Sequence, residues 1–262
     1  MSDLTELERV LWAFSFSANV ALVFLILYRK NYRIYPCFLL YALLNLLQGV
    51  VLFASERVWG YDSAVLFKIG WGTQGAVILA RTLSVAEVCR QVLARYRGIW
   101  GLGWRLSVAA ATLVLAYSWA VGVHSWQLFA VTADRSIELA IAVAILALLV
   151  FAHYYQVVIK PAARFLAIGF FFYSCFQVLN DTILERWLQH YATFWNLLGT
   201  VTFMASVLVW GWALRVNQQE ATSPPQLLPG DHYRSLSPAI NVRLKALDEQ
   251  LGHLWRADGE RT

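Results

Sequence analysis

The chain has 262 residues, of which 59% are hydrophobic and only 14% charged. Soluble domains carry about 25% charged residues, and a soluble core of this length needs more polar surface than the chain supplies. The composition excludes a disordered chain, a disulfide-stapled secreted domain and a fibrous repeat, and argues for a membrane protein. The 21 Lys+Arg exceed the 16 Asp+Glu by a formal net charge of +5. These bases flank long apolar runs, so they read as topology signals and not as a nucleic-acid surface.

From the N-terminus, Asp3, Glu6 and Glu8 precede the first apolar run with no base among them, so no cleavable signal peptide is expected. A transmembrane helix needs about 20 mostly apolar residues. Seven segments meet that test: 9–28, 35–54, 64–90, 104–122, 135–158, 163–184 and 192–214. Their length and lack of period-2 alternation rule out strands. Pro161 stands where a helix start tolerates it. The expected fold is thus all-α, a polytopic seven-transmembrane-helix bundle over residues 1–215.

Orientation follows from Lys and Arg placement. Arg29, Lys30 and Arg33 follow the first span, Arg90, Arg95, Arg97 and Arg105 the third, and Lys160 and Arg164 the fifth, with no acid in these connections. Asp3, Glu6, Glu8, Glu56, Asp62, Asp134 and Glu185, with Arg57 and Arg186, belong to the opposite side. This places the N-terminus outside and the C-terminus in the cytoplasm. Trp12, Trp59, Trp100, Trp104, Trp126, Trp187 and Trp195 fall near the expected interfaces, as an aromatic belt requires.

Residues 216–262 differ in character. Ser223-Pro224-Pro225 and Pro229-Gly230 mark a linker. Ser237 and Pro238 then open a short amphipathic helix, about 238–256, with Ile240, Leu244, Leu247, Leu251 and Leu254 on one face. The tail holds five bases and six acids, whereas a lipid-surface helix is normally rich in bases. Docking on its own bundle or on a cytoplasmic protein partner is therefore favoured over electrostatic lipid binding.

Charged residues inside spans are expensive, roughly 2.5–3.5 kcal/mol each at the helix centre on translocon scales, and so point to function or to structural glue. Lys68, Glu138, Asn180, Asp181 and Asn196 all fall about one turn inside the outer boundary of the expected spans. If their helices are neighbours, they line one outward-facing polar pocket in which Glu138 and Asp181 balance Lys68. Arg81 is near the middle of the third span, with Gln74 on the same helical face, and must find a carboxylate, carbonyls or water from another helix. Glu87 and Arg90 are spaced to pair at the cytoplasmic end. Gly72, Ala76, Ala80 and Ser84 recur at every fourth position, which lets backbones approach and makes the third helix central.

Several chemistries are absent from the sequence. The seventh span has no lysine for a retinal Schiff base, and no histidine pair at one depth suggests haem ligation. There is no phosphate-cradling glycine loop, HExxH or GxSxG. Cys37, Cys89 and Cys175 lie in spans without ligand spacing and read as small buried residues. No catalytic residue, metal site or cofactor is expected.

Three stretches together carry a resemblance. Tyr32-Arg33-Ile34-Tyr35-Pro36-Cys37-Phe38 with Tyr41 opens the second helix, Glu87-Val88-Cys89-Arg90 closes the third, and Asp134-Arg135-Ser136-Ile137 opens the fifth. Over residues 9–215 these stretches resemble an uncharacterised family of bacterial seven-helix integral membrane proteins. The resemblance implies a bacterial cytoplasmic membrane and a seven-helix bundle, and supplies no activity. The expectations for function are then a sensor or receptor-like bundle with an outer pocket for a small polar ligand, a small-solute transporter, or a non-catalytic assembly protein. An enzyme using Glu87 as a base ranks last, because no second catalytic group is assigned.

Overall fold

The structure, a computed structural model, describes residues 6–60, 63–93, 97–122, 126–154, 157, 159–186 and 192–215, with the single positions 242, 245, 246 and 249. Among the described residues the fold is helical throughout, with no strand. Among the described residues seven α-helices follow one another: α1 (Glu6–Tyr28), α2 (Pro36–Trp59), α3 (Ala64–Val92), α4 (Arg97–Gly122), α5 (Trp126–Tyr154), α6 (Pro161–Arg186) and α7 (Ala192–Leu214). Five contain stretches long and apolar enough to cross a membrane: Val10–Tyr28, Pro36–Trp59, Thr132–Tyr154, Pro161–Asn180 and Leu197–Leu214. Helices α3 and α4 are not among these five. The expected tail helix lies outside the described residues, apart from Val242, Lys245, Ala246 and Glu249, which are helical.

The helix boundaries have local causes. Pro36 and Pro161 stand at the first position of α2 and α6, where the missing N–H has no partner to lose. Ser63 caps α3, its hydroxyl oxygen accepting from the amides of Val65 (3.1 Å) and Leu66 (3.3 Å). Gly60 ends α2 at φ 78°, a left-handed region open to glycine. Between α1 and α2, a 3-10 turn over Asn31–Arg33 reverses the chain. The buried Asn31 amide donates to the carbonyl of Leu214 (2.8 Å), closing the otherwise open end of α7.

One boundary differs from the sequence reading. The fifth span was expected from residue 135, yet α5 begins at Trp126 and its membrane-length stretch at Thr132. Asp134 was read as an outer connection and is instead buried within α5 at 8% exposure. Its charge looked like a boundary; it is accommodated by neighbours on other helices, which local sequence does not display.

Packing closes α1, α2, α3, α5, α6 and α7 into a ring in which α1 touches α2 and α7, α2 touches α3, and α3 reaches both α5 and α6. Helix α4 lies against α5 outside this ring. The outer wall is apolar: Phe24, Leu79, Leu113, Trp119, Val143 and Leu208 are all exposed, as befits a bundle solvated by lipid. The ring is filled by Phe38 and Tyr41 of α2, Phe170 of α6 and Trp210 of α7, whose ring centroids lie 4.9–6.2 Å apart. The Trp210 indole lies directly on Gly169 and donates to the Leu166 carbonyl (3.3 Å). Of the small-residue stripe on α3, Ala80 and Ser84 are buried while Gly72 and Ala76 are exposed. Close backbone approach is confined to the second half of that helix.

Candidate functional site: a buried ion pair beside an amide-lined cavity

At the basic end of the bundle, Glu87 bonds backbone amides of α2, and Arg90 acts on it electrostatically. Its carboxylate accepts from the amides of Cys37 (3.3 Å) and Phe38 (3.2 Å), the second and third residues of α2. Those amides have no intrahelical partner, and the helix dipole favours an anion there. Ser84 donates to the Cys37 carbonyl (2.9 Å) and Gln91 to the Ile34 carbonyl (2.7 Å). Three residues of α3 thus hold the start of α2, while Arg90 is exposed. Removing the acceptors by Glu87→Ala lowers stability by about 1–2 kcal/mol. Glu87→Gln, which keeps one acceptor oxygen, loses roughly half as much. Unfolding of the two purified variants in detergent is the measurement, and equal losses would show that the carboxylate does not cap α2.

Deeper in the bundle, Arg81 of α3 is 1% exposed and ion-paired with Glu138 of α5, which is 0% exposed. The guanidinium lies over the ring of Tyr173 of α6 at 4.5 Å and near that of Tyr41 of α2 at 5.6 Å, within range of cation–π attraction. Asp134, one turn before Glu138, also acts on Arg81 electrostatically and faces Gln74. Gln74 and Arg81 are seven residues apart on α3; Asp134 and Glu138 are four apart on α5. One face of each helix therefore meets the other through two polar pairs. Two carboxylates share one guanidinium. The buried atoms Arg81 Nε, Glu138 Oε2, Asp134 Oδ1 and Tyr41 Oη lack a hydrogen-bond partner within the described protein, so the cluster is polar, tightly enclosed and not saturated.

A line of amides leads from this cluster to a cavity of about 150 Å³, bordered by Trp12, Ser15, Phe16 and Asn19 of α1, Asn45, Gln48, Gly49 and Leu52 of α2, and Phe203 of α7. The orientation of the amides can be deduced. Thr73 Oγ1 donates to the Ile69 carbonyl (2.8 Å), so it accepts from Gln48 Nε2 (3.4 Å). The same Gln48 nitrogen donates to Gln74 Oε1 (3.1 Å), which leaves the Gln74 nitrogen for Asp134. Asn19 and Asn45 donate to the backbone carbonyls of Ala42 (3.5 Å) and Tyr41 (3.0 Å). A carbonyl can only accept, so the nitrogens of both side chains are fixed there. A second link joins cavity and cluster: the Phe203 ring meets Tyr173 edge-on at 5.6 Å.

Of the residues expected to line an outer pocket, Glu138 and Lys68 are not brought together. Glu138 is three turns inside α5 and pairs with Arg81, while Lys68 is exposed on the first turns of α3. The longer α5 is the physical reason, because it carries Glu138 to mid-bundle. Asn180 is half-buried near the end of α6; the side chains of Asp181 and Asn196 lie outside the described residues. Gln74 and Arg81 do join one cluster. Sequence reasoning missed Asn19 and Gln48, neutral residues in apolar runs, and the partners Tyr41, Asp134 and Tyr173. Among the described residues, no three His, Cys, Asp or Glu are placed to hold a metal ion.

No family model matches the chain, and neither a curated protein nor a solved structure matches it.

Proposed function

We propose that the chain is a seven-span sensor or receptor-like protein of the bacterial cytoplasmic membrane, with its N-terminus outside, that binds a small polar ligand in the amide-lined cavity. Helices α3 and α4, with 29 and 26 residues, are each roughly 40 Å long at 1.5 Å per residue. That exceeds the roughly 30 Å hydrocarbon core, so both join the five apolar helices as spans. The charge that opposes insertion of α3, Arg81, is neutralised by Glu138. The cavity lies in the half of the bundle where α1 begins and α2 ends, away from the basic connections. The positive-inside rule makes that half the outer one.

The observation that carries the reading is the double connection from cavity to buried ion pair, through Gln48–Gln74 and through Phe203–Tyr173. A ligand that favours one arrangement of these groups biases the helices that hold them, namely α2, α3, α5, α6 and α7. Toward the basic end, the turn below Asn45 is filled by Tyr41 and Phe38 packed on Phe170 and Trp210. A cavity closed on that side supports sensing over transport. The cytoplasmic tail helix, docked on the bundle or on a protein partner, is then the output.

The test uses two variants expressed at the native locus. Gly49→Leu puts a bulky side chain on the cavity wall, where the Cβ itself meets Phe16 at an ordinary 3.5 Å. Deletion of residues 230–262 removes the output. Both are expected to reproduce the phenotype of the complete gene deletion while the protein remains in the membrane. Wild-type behaviour of either one overturns the sensor reading.

A further inference from the structure

Four bases are gathered at the seam between α1 and α7. Arg29 and Lys30 follow α1, Arg33 closes the 3-10 turn, and Arg215 follows α7. The hydrogen bond from the Asn31 amide to the Leu214 carbonyl (2.8 Å) ties this turn to the end of α7, and so brings Arg215 beside the other three. All four are exposed, and none is ion-paired among the described residues. No acid lies in the turn or in the last two turns of either helix. Like charges collected in one place repel each other, and an anion relieves that repulsion.

Two further observations point to a ligand, and to a lipid in particular. Among the described residues, Lys30 is the one residue other than glycine with positive φ, at φ 56° and ψ 22°. That left-handed position after a helix suits glycine. A lysine stands there at a conformational cost, and such strain collects at ligand sites. The second observation is aromatic. The Arg215 guanidinium lies over the Trp212 ring at 3.7 Å and that of Arg29 over Tyr28 at 5.6 Å. Stacking occupies the face of a guanidinium and leaves its N–H edge for phosphate oxygens. Both rings are exposed on the outside of the bundle. They continue into exposed Phe24, stacked on Tyr28 at 5.9 Å, and exposed Leu208, one turn before Trp212. Apolar surface therefore runs from the bases toward the middle of the membrane, and a free phosphate would make no use of it.

We propose that the α1–α7 seam binds an anionic phospholipid, its headgroup phosphate meeting Arg29, Lys30, Arg33 and Arg215 while an acyl chain lies along Phe24, Tyr28, Leu208 and Trp212. This site is separate from the amide-lined cavity and does not depend on it. Each base near a headgroup surface is worth about fivefold in affinity for anionic lipid. Four of them select phosphatidylglycerol over phosphatidylcholine, whose own cation balances its phosphate.

The full chain in detergent is titrated with phosphatidylglycerol or phosphatidylcholine, and the lipid adducts are counted by native mass spectrometry. Phosphatidylglycerol is expected to bind at least tenfold more tightly. Lys30→Gly should weaken its binding about fivefold while the lipid-free thermal transition stays or rises, because glycine relieves the left-handed strain. Arg29→Gln with Arg215→Gln should weaken binding at least tenfold. Lys160→Gln with Arg164→Gln removes the same charge from another connection at the same end, and should change binding no more than twofold. Equal losses in the two pairs would reduce the effect to a general attraction of the basic end and overturn the site. Unchanged binding after Lys30→Gly, or equal binding of the two lipids, would overturn it as well. Release of phosphatidylglycerol by inorganic phosphate in millimolar excess would mark a free-anion site instead. If amide replacements of the tail acids Glu220, Asp231, Asp248, Glu249, Asp258 and Glu260 raise lipid binding at least tenfold, the tail occupies the bases and the lipid assignment falls.

Discussion

Arg81→Met lowers the stability of the bundle by about 3–5 kcal/mol, the range for removing one partner of a buried ion pair. The loss does not reflect the value of the attraction alone. Arg81 and Glu138 are 1% and 0% exposed, so taking away the guanidinium leaves Glu138 and the nearby Asp134 without a counter-charge and without water. The methionine fills much of the arginine's space, so the cavity contribution is small. The three groups make the effect asymmetric. After Glu138→Gln, Arg81 still has Asp134 and the rings of Tyr41 and Tyr173, and the loss should be distinctly smaller. Replacing a whole buried charge cluster by neutral groups of similar volume is often close to neutral. The triple variant Arg81→Met, Glu138→Gln, Asp134→Asn should therefore recover most of what Arg81→Met loses. Denaturant titration of the four proteins in mixed micelles measures this. A triple variant no more stable than Arg81→Met would show that the cluster stabilises the bundle directly.

The same cluster shows what could be read from the residues alone. The apolar runs revealed the helices because helix length and composition are local properties, and Pro36 and Pro161 marked two starts for an equally local reason. The need of Arg81 for a partner on another helix was legible from its depth. Its identity was not, because Glu138 is 57 residues away and had been assigned to the outer boundary. That assignment failed at Asp134 and Arg135, a charged pair that looks like the end of a span. In the fold, Asp134 is buried opposite Gln74. Glu87 was legible only in part. Arg90, its sequence neighbour, acts on it electrostatically, while its hydrogen bonds come from the amides of Cys37 and Phe38, about 50 residues earlier. The cavity was invisible in the sequence. Asn19, Asn45 and Gln48 are tolerable singly in apolar helices, and only the packing of α1 against α2 and α7 places them around one space.

Gly169→Ala is expected to destabilise the bundle by about 2–3 kcal/mol, near the upper end for overpacking, although it adds a single methyl group and improves helix propensity. The added Cβ would overlap the Nε1 and Cδ1 atoms of the Trp210 indole. A flexible side chain would turn aside; this one cannot. The indole is 1% exposed, bonded to the Leu166 carbonyl, and hemmed in by Phe38, Tyr41 and Phe170. Relief must come from separating α6 and α7. That separation also disturbs Tyr173 and Phe203, which contact each other across the same two helices. In lipid no hydrophobic force draws helices together, so their association depends on close packing of this kind. The origin of the loss can be isolated by a double-mutant cycle. In a Trp210→Leu background the obstructing ring is gone, and Gly169→Ala should then cost less than about 0.5 kcal/mol, a coupling well above the additivity error for independent sites. Equal losses in both backgrounds would place the strain in the α6 backbone and not at the indole.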